Sequence, residues 1–176
     1  MVASIWDATT TVLQQEFSDV HDLEQAIRIG LRLLIAALLG GLLGLQRERS
    51  GKAAGIRTHM LVSMGSALFV LVSQQSGVTP TDISRVAQGI IAGIGFLGAG
   101  TILKDSDTAH VRGLTTAAGI WLTAAIGMAA GLGREMTAVL STVLAVAVLS
   151  LEPVLRGISD RSRSRRKDQA PVDPLD

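Results

Sequence analysis

Apolar residues fill five long stretches of the chain, and short segments rich in glycine, arginine and other polar residues separate them. An α-helix needs roughly 20 mostly apolar residues to cross the hydrocarbon core of a bilayer, so each stretch is a candidate membrane-spanning helix. The second stretch is short, and the fifth ends at a Glu-Pro dipeptide. The five predicted spans are residues 27–45, 59–73, 83–103, 114–132 and 136–155.

A different pattern precedes the first span, within a segment that we define as residues 1–26. Apolar residues recur there at steps of three and four with acidic residues between them, which is typical of an amphipathic helix. We expect this helix to lie on the outer surface and to rest on the protein, because anionic lipid would repel its acidic face. The apolar positions are Leu13, Phe17, Val20, Leu23 and Ile27.

The composition agrees with a membrane protein. Of the 176 residues, 48% are hydrophobic and 18% are charged, and the mean hydropathy of +0.42 exceeds what a soluble domain needs. The predicted fold is therefore an all-α integral membrane protein, with residues 27–155 as its transmembrane domain. The chain has no cysteine, which excludes disulfides, zinc fingers, thiol nucleophiles and iron–sulfur clusters.

Basic residues lie mainly on one side of these spans. Of the 16 Lys and Arg residues, most follow the first, third or fifth span, whereas the segment between the fourth and fifth spans holds only Arg134. Because cytoplasmic segments carry an excess of basic residues, we predict an external N-terminus and a cytoplasmic C-terminus. The tail, residues 156–176, is expected to be disordered. Its basic residues either set the topology or bind anionic lipid headgroups.

Pairs of glycines four residues apart occur in three of the spans. In lipid, where hydrophobicity does not pull helices together, such small-residue faces let helix backbones approach closely. They serve either packing within the bundle or a contact between subunits, and both interpretations stay open here. The pairs are Gly40 and Gly44, Gly89 and Gly93, and Gly127 and Gly131.

The third span also contains a formal match to the dinucleotide-binding pattern G-x-G-x-x-G, at Gly93, Gly95 and Gly98. That pattern works only at a strand-to-helix turn, whereas here it lies in an apolar helical stretch. We therefore interpret these glycines, together with Gly100, as packing positions. Each glycine costs about 1 kcal/mol of helix stability relative to alanine, so the run is compatible with a locally irregular helix.

Ionisable residues within a bilayer are costly, and each therefore marks a candidate site. In the outer half, Asp82 and Arg85 lie three residues apart in the first turn of the third span, with Gln88 nearby. We expect Asp82 and Arg85 to form a coupled pair. Arg32 of the first span either snorkels outwards or turns towards the same carboxylate. The alternative for this group is a purely structural role in snorkelling and helix capping.

A second polar cluster is predicted at the cytoplasmic side, where arginines, hydroxyls and one acid come together. Such a set is typical of an anion or headgroup site, and equally of ordinary basic residues that fix the topology. Arg49 and His59 lie in the same segments, and the predicted site residues are Gln46, Arg47, Glu48, Arg57, Thr58, Arg112, Thr115 and Thr116.

Neither cluster supports catalysis. The three histidines are scattered without metal-ligand spacing, no serine lies in a nucleophile motif, and no phosphate-binding loop is present. A magnesium site needs several oxygen ligands in octahedral array, and the predicted core supplies little beyond Asp82. We therefore expect no enzyme activity, no metal, no cofactor and no nucleic-acid partner.

Several segments together resemble the MgtC/SapB family of bacterial inner-membrane proteins. The resemblance extends from about residue 32 to residue 133. The family usually has Glu where this chain has Gln46, and some members continue into a soluble C-terminal domain, so we expect a short-form member. The matching segments are residues 44–49 (GLQRER), 54–59 (AGIRTH), 82–86 (DISRV), 93–100 (GIGFLGAG) and 111–118 (VRGLTTAA).

The resemblance implies a five-helix membrane protein linked to growth in low magnesium and to survival inside host cells, with inhibition of the F-type ATP synthase proposed for some members. Our preferred hypothesis is a non-enzymatic membrane regulator that acts through helix–helix contacts, as a homo-oligomer or on another membrane protein. The alternative is a small conduit or carrier for Mg²⁺ or another cation, which Asp82, Arg85 and the glycine-rich third span favour.

The charge pattern makes a topology prediction. A reporter fused after Lys167 should read as cytoplasmic, because the basic segment 46–58 and the tail are expected on that side of the membrane. A fluorescent protein and a phosphatase that is active only outside the cytoplasm, fused at the same site, measure this. Phosphatase activity there would contradict five spans with an external N-terminus.

Overall fold

Backbone groups within lipid must be hydrogen-bonded internally, and helices achieve this along most of the described chain. The computed structural model describes residues 2–16, 20, 22–77, 79–104 and 111–151. Two short strands, β1 (Leu103–Lys104) and β2 (Val111–Arg112), pair antiparallel between α4 and α5. The helices are α1 (Val2–Glu16), α2 (Leu23–Arg49), α3 (Ile56–Gln75), α4 (Pro80–Gly100), α5 (Leu114–Gly131) and α6 (Glu135–Ser150).

The predicted number of apolar helices is confirmed. Helices α2 to α5 are long and apolar enough to cross a membrane, and α6 is a shorter apolar helix of 16 residues. At 1.5 Å per residue, α6 extends about 24 Å, somewhat less than the ~30 Å hydrocarbon core. The chain is thus an all-α integral membrane protein. Residues 152–155 of the predicted fifth span and the predicted tail lie outside the described residues.

The third span ends earlier than the apolar pattern predicted. Helix α4 stops at Gly100, and Leu103 pairs with Arg112 in the short sheet instead of continuing the helix. The Thr101 hydroxyl helps to end the helix by donating a hydrogen bond to the carbonyl oxygen of Gly98 at 2.8 Å. Up to that point the glycine run is regular α-helix. The local irregularity that its weak helix propensity suggested is absent because an unsatisfied backbone group in lipid costs more than the propensity penalty.

The amphipathic N-terminal helix is also shorter than predicted. Helix α1 ends at Glu16, and Asp22 starts the first span by accepting a hydrogen bond from the backbone N–H of Gln25 at 2.7 Å. Leu23 and Ile27 therefore belong to α2, while Phe17 lies outside the described residues. The side chains described in α1, residues 5–16, are all exposed, so the described part of the protein does not form the surface on which this helix was expected to rest.

Helices α5 and α6 form a tight hairpin. Residues 132–134 connect them, and Gly133 has a φ of 75°, a left-handed conformation that glycine adopts without steric penalty. The Arg134 N–H donates to the carbonyl oxygen of Ala129 at 2.9 Å, which closes the end of α5. Glu135 follows in the first turn of α6, where the helix dipole favours an acid.

Helix α3 packs closely between α2 and α5, because glycines on both neighbours face its backbone. A Cβ atom at Gly40 would lie 2.5 Å from the carbonyl oxygen of His59, and one at Gly44 would lie 2.6 Å from Cα of Ile56. On the other side, a Cβ at Gly131 would lie 2.6 Å from the Ala67 oxygen. The glycine pairs of α2 and α5 therefore serve packing within the bundle.

This packing predicts that Gly127→Ala destabilises the protein. The new methyl group would overlap the carbonyl oxygen of Ser63, so α3 and α5 must separate. Overpacking of this kind typically costs about 1–3 kcal/mol, which thermal unfolding in detergent should detect. Gly30→Ala is the matched control, since a Cβ at Gly30 meets no atom within 4 Å. Equal unfolding temperatures for the two variants would contradict the packing role.

Candidate functional site

A buried polar cluster lies where α2, α3 and α5 meet. We define it as Arg47, His59, Ser63 and Thr116, all of which are buried. The Arg47 side chain is completely buried, and its Nη2 donates to Oγ1 of Thr116 at 3.4 Å. Burying a charge is costly without polar partners, so the polar side chains around Arg47 are needed to keep its guanidinium inside the bundle. Arg47 and Thr116 are members of the predicted cytoplasmic cluster that the structure brings together.

His59, which the sequence placed beside the cytoplasmic cluster, belongs to this buried polar cluster. Its Nδ1 lies 3.0 Å from the carbonyl oxygen of Gly55, and because a carbonyl only accepts, Nδ1 is the donor. In the neutral imidazole, Nε2 is then an acceptor, and within the described residues neither Nε2 nor the Ser63 hydroxyl has a hydrogen-bond partner. The sequence missed Ser63, and its position four residues after His59 in an apolar helix is the signal that could have identified it.

Glu48, which the sequence placed in the same cluster, has a capping role. Its Oε2 accepts a hydrogen bond at 3.0 Å from the backbone N–H of Ile56, the first residue of α3. The N-cap residue Gly55 makes no side-chain cap of its own, and any Cβ there would meet the Glu48 carboxylate. Glu48 therefore satisfies one of the free N–H groups that begin a helix. This bond ties the end of α2 to the start of α3.

The other predicted members of the cytoplasmic cluster lie towards its outside. Arg57, Thr58, Arg112 and Thr115 are exposed, and within the described residues Arg57 and Arg112 have no hydrogen bond to the buried polar cluster. Gln46 is half-buried, and its Oε1 has no hydrogen-bond partner in that part of the chain. Of the arginines and hydroxyls that were expected to come together, the described hydrogen bonds join Arg47 and Thr116.

At the opposite end of the bundle, Arg32 joins three other helices. Its Nη1 donates to Oε1 of Gln74 at 3.2 Å and to the carbonyl oxygen of Gly131 at 3.1 Å. Its Nε lies 3.7 Å from Oε1 of Glu135. Of the two alternatives for Arg32, the turn towards Asp82 is not observed, because the negative end of the α5 dipole and the carboxylate of α6 are nearer partners. The sequence missed Gln74 and Glu135 as partners of this arginine.

Asp82 caps its own helix. Its Oδ2 accepts hydrogen bonds from the backbone N–H of Thr79 at 3.2 Å and from the Thr79 hydroxyl at 2.6 Å, while the Asp82 N–H donates to that hydroxyl at 3.4 Å. This is a capping box, in which two free N–H groups are satisfied reciprocally. Arg85 and Gln88 are exposed, and no ion pair between Asp82 and Arg85 occurs among the described residues. The geometry therefore favours the structural alternative for this group.

The glycine pair of α4 differs from the other two pairs. A Cβ at Gly89 or at Gly93 would meet no atom within 4 Å. Both glycines line an open, mostly apolar groove of about 640 Å³ between α3 and α4, which we call the α3–α4 groove. Its lining includes Gly65, Ser66, Phe69, Gly89, Ile90 and Gly93.

The remaining glycines of α4 separate into two groups. A Cβ at Gly98 would lie 3.5 Å from Cβ of Ala117, so this glycine faces α5 at ordinary contact distance. Gly95 and Gly100 face open space. Helix α4 is therefore held to the bundle on its α5 side, and its Gly89–Gly93 face has no close protein contact in the described chain.

The described residues contain no group of three or more His, Cys, Asp or Glu side chains that could hold a metal ion. His59 lies in a cluster with an arginine and hydroxyls, and the acids Glu48, Asp82 and Glu135 take part in capping or in an ion pair. The expectation of no metal site concerns the whole chain and stays a prediction.

Comparison with known proteins gives one consistent family. A profile of the MgtC family matches residues 33–158. The chain is 46% identical over 133 residues to SrpB of Synechococcus elongatus and 41% identical over 131 residues to MgtC of Salmonella typhimurium. It is 42% identical over 128 residues to YhiD of Escherichia coli K12, whose name describes it as a candidate magnesium transporter.

These alignments include 69% to 74% of this chain, and 73% of SrpB. They include only 59% of YhiD and 54% of MgtC, so the chain spans little more than half the length of those two relatives. No solved structure matches the chain.

The geometry of the two outer acids predicts different energetic couplings. In double-mutant cycles of unfolding, Arg32→Gln with Glu135→Gln should show a coupling of about 0.5–1 kcal/mol, since the two side chains form a partly exposed ion pair. Asp82→Asn with Arg85→Gln should be additive within about 0.5 kcal/mol, the scatter of independent sites. The reverse order of the two couplings would show that the Asp82–Arg85 pair, not the Arg32 contacts, is formed in the membrane.

Proposed function

The chain belongs to the MgtC family of multi-pass inner-membrane proteins, and from that premise we propose that it is a non-enzymatic membrane regulator in magnesium homeostasis. In this proposal it supports growth in low magnesium and survival under stress or inside host cells. It acts through helix–helix contact at the α3–α4 groove. The magnesium context rests on the relatives, one of which carries magnesium transport in its name.

The observation that carries this proposal is the open glycine face of α4. Three spans contain glycine pairs four residues apart, and in two of them the glycines meet the backbone of a neighbouring helix. The pair Gly89 and Gly93 has the same local chemistry and no neighbour within 4 Å. Because small-residue faces in lipid are contact surfaces for helices, this pair favours a further helix in the groove.

We propose that this helix is α4 of a second copy of the chain. Each copy presents the same small-residue face, so two copies can meet through equivalent surfaces about a two-fold axis, the commonest arrangement in homo-oligomers. Gly65 and Ser66 on the α3 wall of the groove add further small side chains that permit close approach. A helix of a different membrane protein is the alternative occupant.

Electrostatics favours regulation over cation transport. Between α2, α3 and α5, the largest fully buried side chain is that of Arg47, which carries a guanidinium. A fixed positive charge in a medium of low dielectric constant repels a divalent cation strongly. Mg²⁺ also prefers carboxylate oxygens and water, whereas the buried polar side chains of the described residues are Arg47, His59, Ser63, Ser66, Thr116, Thr123 and Thr142.

The proposal predicts different behaviour for two leucine substitutions in α4. Gly93→Leu should fold, because a Cβ there meets nothing within 4 Å, but it should convert an oligomer to a monomer and abolish rescue of growth in low magnesium. Gly95→Leu is the matched control, since Gly95 also faces open space but does not line the α3–α4 groove. Helicity, oligomeric state in detergent and growth in low magnesium are the three measurements.

Three results would count against the proposal. A folded Gly93→Leu variant that stays oligomeric would remove this face as a contact between copies. Equal loss of growth in Gly93→Leu and Gly95→Leu would remove the specificity of the groove. Mg²⁺ uptake by proteoliposomes, measured with an enclosed fluorescent indicator and absent from protein-free liposomes, would favour a carrier.

A further inference from the structure

Helix α1 has an apolar stripe that no part of the described protein covers. At about 3.6 residues per turn, the large apolar side chains of this helix fall within one sector, and Asp7, Thr11 and Gln14 fall within the opposite sector. The apolar side chains are between 51% and 67% exposed. We call them the α1 stripe: Ile5, Trp6, Val12 and Leu13.

The threonines of α1 turn their hydroxyls inward to the helix backbone. The hydroxyl of Thr9 donates to the carbonyl oxygen of Ile5 at 2.7 Å, and that of Thr10 donates to the oxygen of Trp6 at 3.0 Å. Thr9 lies in the middle of the α1 stripe. Because its hydroxyl is satisfied within the helix, its methyl group completes the apolar surface without leaving an unsatisfied donor in an apolar medium.

Chain connectivity brings α1 to the membrane surface. Helix α1 ends at Glu16, and the membrane-spanning helix α2 begins at Leu23, with Asp22 as its N-cap. At no more than ~3.5 Å per residue, the connection reaches roughly 25 Å, less than the hydrocarbon thickness of a bilayer. The polar N-terminal turn of α2, with an ion pair between Glu24 and Arg28, belongs at the membrane–water interface.

We infer that α1 lies in the membrane–water interface, parallel to the bilayer, with the α1 stripe inserted among phospholipid headgroups and the first acyl carbons. An amphipathic helix with low net hydrophobicity takes this position, and tryptophan is enriched there because its ring is apolar and its indole N–H is a donor. The occupant of the α1 stripe is therefore lipid, not the helical bundle.

The charges of α1 define which lipids it contacts. The acids described in this helix are Asp7, on the polar face, and Glu16, which falls in the sector of the α1 stripe but at the last residue of the helix, and the helix contains no Lys or Arg. Apolar burial therefore drives its insertion, with no electrostatic attraction to anionic lipid. Insertion should be at least as complete in phosphatidylcholine as in mixtures with phosphatidylglycerol, because anionic lipid repels the two acids, and it should not weaken in salt, because there is no ionic attraction to screen.

The two tryptophans of the chain allow a direct test in the full-length protein. Trp121→Phe leaves Trp6 as the sole reporter, and the protein is reconstituted into phosphatidylcholine vesicles with or without lipids brominated along their acyl chains. Trp6 fluorescence should be quenched strongly by bromine near the headgroup and less by bromine deep in the chain. Quenching by aqueous acrylamide should be several-fold weaker than for free tryptophan.

A tryptophan on the opposite face is the matched control. In a chain with Trp6→Phe and Trp121→Phe, Gln14→Trp places the reporter on the polar face of the same helix. This reporter should be accessible to acrylamide and insensitive to brominated lipid. Substitutions at these exposed positions leave the bundle intact, which circular dichroism checks.

Two outcomes would overturn the inference. Equal acrylamide quenching of tryptophans at positions 6 and 14 would place α1 in water. Protection of Trp6 from acrylamide without quenching by brominated lipid would mean that protein, either the bundle or a second copy, covers the α1 stripe.

Discussion

Helix α3 lies between two pairs of glycines, and the rest of the bundle is arranged around this close contact. Gly40 of α2 and Gly127 of α5 both face backbone atoms of α3 at distances that leave no room for a side chain. Since hydrophobicity does not hold helices together in lipid, this approach supplies the van der Waals contact that a soluble core would obtain from large apolar residues. It also explains why the core contains mainly alanine, glycine and small hydroxyl residues.

The same close contact creates the buried polar cluster. When α2, α3 and α5 approach at glycines, the side chains one turn away are enclosed as well, and these include Arg47, His59 and Thr116. A guanidinium in this position is stabilised only if hydroxyl and backbone groups surround it. The polar residues at the start of α3 and α5 are therefore required by the close packing of the helices. The cluster thereby fixes a positive charge inside the bundle. In this respect the bundle interior differs from a cation path, which is lined by oxygen ligands.

The sequence predicted the apolar helices because hydropathy and helix length are local properties, which every window of the chain reports. It did not predict partners, which depend on helices far apart in the chain. Arg32 binds groups near residues 74, 131 and 135, whereas the sequence offered Asp82 as the acid for the outer cluster. The three glycine pairs are indistinguishable locally, and only the positions of their neighbours show that one of them faces outward. The boundary between α1 and α2 could have been predicted from Asp22, which is a good N-cap residue. The apolar periodicity continues across this boundary and therefore indicated a single helix.

The contrast between α4 and the other spans is the structural basis of the regulatory role that we propose. Helices that must hold a fixed site are packed on several sides, as α3 and α5 are, whereas α4 contacts mainly α5 and leaves the face of Gly89 and Gly93 open. An open face of this kind would have no function in a carrier whose moving helices enclose an internal site, because it neither binds the transported ion nor closes the site around it. It is useful in a protein whose output is contact with another helix, since the free energy of that contact is then gained only when the second helix arrives. In the proposed role, the closely packed helices α2, α3 and α5 provide the support, and α4 provides the surface.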